Sequence, residues 1–222
     1  MKKFYFILML ITFYAGQSHA MPVCLSPDKQ NDCVGSEAWS NGDTYVGDYK
    51  NGQRTGKGAY IWSNGDEYKG DFVDGELTGQ GTYSWPNGNI YIGDFVSGSR
   101  TGKGISLWPN NNKYIGDFIN GSRTGKGTYT WPSGSSYKGD FVNGDITGKG
   151  IYKWKNGNTY VGDFINDNRT GQGTYTWSNG DIYKGSFING VRTGVGTFTW
   201  YDGRTQSGLY DRNIYVGTIK RK

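Results

Sequence analysis

The stretch YKGDFVDGELTGQGTYSWPNGNI at residues 68–90 decides the fold, because its skeleton recurs every 23 residues without an insertion. Tyrosine stands at Tyr45, Tyr68, Tyr91, Tyr114, Tyr137, Tyr160 and Tyr183. Tryptophan keeps the same interval at Trp39, Trp62, Trp85, Trp108, Trp131, Trp154, Trp177 and Trp200. A third marker, Thr-Gly-x-Gly, begins at Thr55, Thr78, Thr101, Thr124, Thr147, Thr170 and Thr193. A constant period over most of a chain marks a repeat array, in which no unit buries its apolar face alone and stacking supplies the core.

Each unit predicts a β-hairpin. In the first, Gly58 to Trp62 reads as a strand, Ser63-Asn64-Gly65 as a tight turn and Glu67 to Phe72 as the return strand. Pro86, Pro109 and Pro132 follow the tryptophan in three units. Proline's fixed φ suits the first central position of a type I turn, and the glycine that usually follows takes the left-handed position of a bulge. At Asn111 that glycine is missing, and asparagine tolerates the conformation best among the other residues. Asp167 replaces glycine at the opposite turn.

Strand alternation puts Tyr60 with Trp62, and Tyr68 with Gly70 and Phe72, on one aromatic face whose glycines leave room for rings. The intervening positions, mostly Thr, Ser, Lys and Asp, form a polar face. Each buried aromatic ring contributes about 1.5–3 kcal/mol. The expected fold is all-β: an elongated single-sheet ribbon, or solenoid, of tandem 23-residue antiparallel hairpins. At about 4.8 Å per strand, seven units span roughly 70 Å.

The heptapeptide GSRTGKG, at 98–104 and again at 121–127, invites a nucleotide reading. A phosphate loop needs four residues between its first two glycines and Ser or Thr after its lysine. Here three residues separate Gly98 from Gly102, and Gly104 follows Lys103. The heptapeptide is part of the period and reads as a recurring turn.

Residues 1–20 read as a secretory signal peptide. Lys2 and Lys3 precede an apolar run from Phe4 to Ala15, and Ser18-His19-Ala20 offers a cleavage site. The run is too short and wrongly flanked for a membrane span. Cys24 lacks the small preceding residues of a lipoprotein anchor, so a soluble mature chain from Met21 is expected, exported to the periplasm or beyond the cell. His19 is the only histidine; its removal takes away the commonest general base and metal ligand. Cys24 and Cys33 are expected to form a disulfide in an oxidising compartment, with a free thiol or an intermolecular bridge as the alternatives. No catalytic residue, metal site or cofactor is expected, and export with modest charge disfavours nucleic acid.

The pattern Tyr-x-Gly-Asp-(Phe/Tyr)-x-x-Gly-x-x-x-Gly-x-Gly-x-Tyr-x-Trp-x-x-Gly resembles the MORN (membrane occupation and recognition nexus) repeat. Seven full units cover residues 45–205. The resemblance implies an elongated antiparallel sheet of successive hairpins. Where the family usually has His-Gly-x-Gly this chain has Thr-Gly-x-Gly, so no role of that histidine carries over. Such modules elsewhere often accompany a lipid kinase or methyltransferase domain, for which no residues remain here. Residues 21–44 read as an N-terminal cap with the bridge and a partial repeat, and 206–222 as a degenerate repeat and C-terminal cap.

Repetition also aligns charge. A basic row, read as lying in the turn, comprises Arg54, Lys57, Arg100, Lys103, Arg123, Lys126, Lys149, Arg169 and Arg192. An acidic row runs through Asp48, Asp71, Asp94, Asp117, Asp140 and Asp163, with Ser186 breaking it. The basic row is a candidate anion-binding ladder for lipid phosphates; the competing reading is a solvated edge of charge-paired rows. Regular spacing creates no cleft for carboxylate catalysis. The aromatic rows hold the hairpins together, with stacking on sugars as the alternative.

Residues 21–90 carry 5 basic against 10 acidic side chains, and residues 91–222 carry 17 against 9. That polarity predicts an anionic membrane surface as partner for the C-terminal half. A protein partner, self-association through the ribbon ends and a glycan-binding module are the rivals.

Overall fold

The computed structural model describes residues 21–24 and 32–218; the expected signal peptide and the Lys220-Arg221-Lys222 terminus lie outside them. Among the described residues, 17 strands form one sheet in chain order, each antiparallel to the next, from β1 (Cys33–Ala38) to β17 (Ile214–Gly217). Seven-residue strands such as β4 (Glu67–Val73) alternate with nine-residue strands such as β5 (Glu76–Ser84). The expected ribbon of hairpins is the observed architecture.

Two turns alternate along the ribbon. At the tryptophan end, Gly65 N donates to Trp62 O at 2.9 Å and Trp62 N donates to Asp66 O at 3.0 Å, which is a type I turn closed by a bulge. Asn111 takes the left-handed position there with φ 63°. At the other end, Asp74 and Gly75 both have positive φ, 48° and 82°, between paired Val73 and Glu76. That is the two-residue type I′ hairpin that Asp-Gly favours.

Thr-Gly-x-Gly is therefore not a turn. Between β4 and β5 the register jumps: Gly70 faces Gly81, but Asp71 faces Thr78. Gly79 and Gln80 are surplus on that side, yet they pair regularly with Phe95 and Asp94 of β6 (Ile90–Val96). Each nine-residue strand thus carries a bulge toward one neighbour only, which sharpens local twist.

The bulge gives a single-layer sheet its core. Tyr68 lies flat across Gly70 and Gly81, where an added Cβ would overlap its ring. Its hydroxyl shares its one proton between Asp71 O at 3.0 Å and Thr78 O at 3.1 Å. Phe72 and Phe95 close the ring edge-on, with centroids 5.2 and 5.0 Å away. The same tyrosine is fully buried in all seven units. Aromatic pairs in this geometry add about 0.5–1.5 kcal/mol beyond area burial.

The opposite face departs from expectation. It carries the Lys and Asp rows, but also aliphatic side chains with large exposure, among them Ile92 at 41%, Ile115 at 45% and Val161 at 49%. They share this face because they alternate with the buried tyrosine and glycine positions.

Candidate functional site

The basic row divides between the two faces. Arg54, Arg100, Arg123, Arg169 and Arg192 lie on the aromatic face, over the rings. Arg169 sits 5.2 Å from the centroids of both Trp154 and Tyr175. Its guanidinium donates to Gly190 O at 2.8 Å, and Arg54, Arg123 and Arg192 make the equivalent bond to the turn of the next unit. Burial pulls the Arg100 and Arg169 pKa values down, although a guanidinium keeps its charge in a protein. These arginines clamp one repeat to the next.

The lysines point the other way. Lys57 pairs with Asp71 at 2.5 Å and Lys149 with Asp163 at 2.7 Å; Lys103–Asp117 and Lys126–Asp140 repeat the contact. The other oxygen of each aspartate secures the bulge: Asp117 Oδ2 accepts from Lys126 N at 2.9 Å. The ammonium hydrogen bond, helped by that backbone N–H, holds Asp117, Asp140 and Asp163 below the usual carboxylate range. The acidic row is a structural hub rather than a pair of free carboxylates.

Trp and Tyr rings interleave in a ladder along the turn edge of the aromatic face. Trp62 packs against Tyr83 with centroids 5.3 Å apart and Tyr83 against Trp85 at 4.5 Å, the rings tilted by 31° and 41°. With arginines covering further ring faces, this ladder reads as packing. It breaks once, at Ser106, which occupies the position of Tyr83 and Tyr129 and is only 6% exposed. Pro86, Pro109 and Pro132 also lack the N–H that Ser63 donates to Asp43 Oδ1 at 2.8 Å, and the buried Asn112 Oδ1, facing the position of Pro132, has no partner. The junction around Ser106 therefore lacks a ring and a turn hydrogen bond that other units have. Ser106→Tyr is expected to raise stability by about 0.5–2 kcal/mol, read as a higher urea midpoint at unchanged slope. A lower midpoint would mean that neighbouring rings already fill the gap.

An open groove of about 960 Å³ crosses the lysine-bearing face. It runs across eight strands, from Gln80 on β5, past Ile105 on β7 (Ser99–Leu107) and Ile115 on β8 (Lys113–Ile119), to Val161 on β12 (Thr159–Ile165). Ile92, Ile105, Ile115, Ile151 and Val161 line its floor with bare glycine backbone between rows, and Lys103, Lys126 and Lys149 line one side. Such a groove can hold an elongated apolar body. Sequence reading missed it, although Ile92, Ile115 and Val161 stand where other units have Lys69, Lys138 and Lys184.

At the N-terminal end Cys24 and Cys33 form the expected bridge. It ties down a segment in which Cys24 N donates to Val34 O at 3.0 Å and Val34 N to Pro22 O at 2.9 Å, covering part of the β1 edge.

The family profile of the MORN repeat matches residues 45–67, 68–90, 91–113, 114–136, 137–159, 160–182 and 183–203. No curated protein sequence matches the chain. Among solved structures, the chain is similar to the TCP domain of Drosophila melanogaster SAS-4 (dCPAP), determined with a proline-rich motif of Ana2. The two are 11% identical over 87% of this chain and 97% of that one, with a TM-score of 0.47. The TCP10 domain of Danio rerio CPAP shows 13% identity over 83% of this chain and 99% of that one, with a TM-score of 0.26.

Proposed function

The chain belongs to the MORN repeat family, and from that premise we propose that it is an exported, non-catalytic scaffold that holds a protein partner in the groove of its lysine-bearing face. One observation carries the reading: an apolar recess crosses eight strands of the lysine-bearing face, while rings and arginines such as Arg169 over Trp154 cover the other face along most of the array. Rigid repeat surfaces of this kind suit elongated partners.

The charge asymmetry between residues 21–90 and 91–222 favours a second reading, contact with anionic lipid. Against it, every lysine of the row that faces outward is paired with a carboxylate of the next strand. Paired surface charges have little left to give a membrane at physiological ionic strength.

Vesicle co-sedimentation of residues 21–222 separates the two. The protein is expected to remain in the supernatant with neutral and anionic vesicles alike at moderate salt. Pelleting with anionic vesicles only, fading with salt and weakened by Lys103→Glu and Lys126→Glu, would transfer the function to the membrane. A photoreactive residue at Ile115 is expected to give a discrete protein adduct in the producing cell. One at Tyr201, which is 75% exposed outside the groove, is expected to give none.

A further inference from the structure

We propose that the N-terminal end of the aromatic face holds a second site, a recess that takes a neutral carbohydrate of one or two sugar rings. It lies on the opposite face from the groove and stands independently of the reading given to that groove. The recess has a volume of about 680 Å³ and is bordered by Trp39, Tyr49, Arg54 and Tyr60. That size falls within the range of about 300–1,000 Å³ common to ligand sites.

The recess exists because this end departs from the repeat at two positions. Glu37 on β1 stands where most units place the ladder ring, as at Tyr60, Tyr83 and Tyr129. Trp62 is flanked by Tyr60 at 4.6 Å and Tyr83 at 5.3 Å. Trp39 has Tyr60 on one side, stacked at 5.5 Å, and Glu37 in place of the second ring. The other departure is Tyr49, at the position of Phe72, Phe95 and Phe118. It is 1% exposed, and its hydroxyl makes no hydrogen bond among the described residues. Burial, followed by the Glu37 carboxylate, raises its pKa, so the group keeps its proton. Tyr210 makes the same exchange at the far end of the array, but there the hydroxyl donates to Gln206 O at 3.1 Å. An inward charge on an edge strand discourages pairing with other chains, which accounts for Glu37 alone. Phenylalanine would fill the Tyr49 position without burying an unsatisfied group. A lone hydroxyl at the floor of a recess, against the array's own pattern, calls for a ligand.

The lining selects what that ligand can be. Glu37, Asp43 and Asp74 surround the recess with negative charge, which repels an anion. A cation would meet Arg54, whose guanidinium already lies 5.6 Å from the Trp39 centroid and 5.0 Å from that of Tyr60. A neutral ligand remains. Asp43 is held by the Tyr60 hydroxyl and Ser63 N, both at 2.8 Å, and contributes charge rather than contact. Glu37 and Asp74 offer acceptors, while the amides of Asn41 and Gln53 offer donors. A hydroxyl serves both kinds of partner at once, and a sugar ring carries several around an apolar C–H face. That face buries against the side of Trp39 where other units have a ring. The Tyr49 hydroxyl can then bond an inner hydroxyl of the sugar.

The array also shows that neither departure is a requirement of the fold. Units with tyrosine at the position of Glu37 and phenylalanine at that of Tyr49 pair in the same register. Glu37→Tyr therefore extends the ring ladder into the recess, and Tyr49→Phe removes only the buried hydroxyl. Each variant is expected to keep or exceed the urea midpoint of the parent.

The test titrates residues 21–222 by calorimetry with cellobiose and maltose, as free sugars, and with cellotetraose and maltotetraose, as ends of a polymer. Saturable binding of at least one is expected, weakened at least tenfold by Glu37→Tyr and by a smaller factor by Tyr49→Phe. Tighter binding of a tetrasaccharide than of its disaccharide would support the site with a polymer end as its source; equal binding would support it with a free sugar. Binding that survives both substitutions would place the sugar elsewhere and overturn the inference. No saturable binding of any of the four would overturn it as well. So would tighter binding of glucuronate or of tetramethylammonium than of every neutral sugar, since the lining would then select charge. None of these outcomes bears on the groove, which the photoreactive residue at Ile115 reports separately.

Discussion

Replacing Gly104 with valine is expected to destabilise the ribbon by about 3 kcal/mol or more, at the upper end of what overpacking costs. The reason is the flat tyrosine. Tyr91 lies across Gly93 and Gly104, and any Cβ at Gly104 would enter the space of its ring. The ring cannot simply lift away. Its hydroxyl shares its one proton between Asp94 O at 3.1 Å and Thr101 O at 3.2 Å, and Phe95 and Phe118 close it edge-on at 5.2 and 4.9 Å. Displacing it breaks this shared hydrogen bond and two ring contacts, and the backbone carbonyls at the bulge lose their donor. Ile105→Thr, one residue away on the opposite face, is expected to change stability by less than about 0.5 kcal/mol. Urea unfolding followed by tryptophan fluorescence measures both. The double variant Tyr91→Ala/Gly104→Val should be more stable than the sum of the single effects, because the clash disappears with the ring. Additive effects, or a harmless Gly104→Val, would sink this account of the core.

Much of this architecture is legible in the sequence because it rests on residues that repeat. The 23-residue interval, the alternation of Tyr68, Gly70 and Phe72, and the turn at Ser63-Asn64-Gly65 lead to hairpins with one aromatic face. The bulge is not legible in the same way. Thr78-Gly79-Gln80-Gly81 has the local composition of a turn, and only the two different registers on its two sides show that it is part of a strand. Misreading it as a turn hid a plain signal. Arg100 and Lys103 are three residues apart, and in a strand an odd separation puts side chains on opposite faces. The single basic ladder was therefore two rows, one packed on rings and one paired with aspartates. The groove was hidden for another reason. Its isoleucines are departures from the repeat, so the 23-residue period does not reveal them.

The same buried tyrosines make the fold sensitive to alkali. Burial, with the neighbouring Asp94, Asp117 and Asp163 carboxylates adding to it, pushes the Tyr91, Tyr114 and Tyr160 hydroxyls up to about 12. Burial followed by Asp71 or Asp140 moves Tyr68 and Tyr137 in the same direction. In the unfolded chain each phenol ionises near pH 10. Below that value both states hold the proton and the stabilisation is fully present. Above it the unfolded state binds fewer protons than the folded one, so stability falls with pH and the contribution is lost as pH rises through the folded values near 12. Several repeats share this linkage, and their tyrosines are joined through the phenylalanines between them, so ionising one loosens its neighbours. The expected result is one cooperative transition between about pH 10 and 12, in which phenolate absorbance and far-ultraviolet circular dichroism change together. Complete phenolate absorbance near pH 10 while the sheet signal persists would mean that the seven tyrosines reach solvent without unfolding. The flat ring over paired glycines would then not be the element that holds the ribbon together.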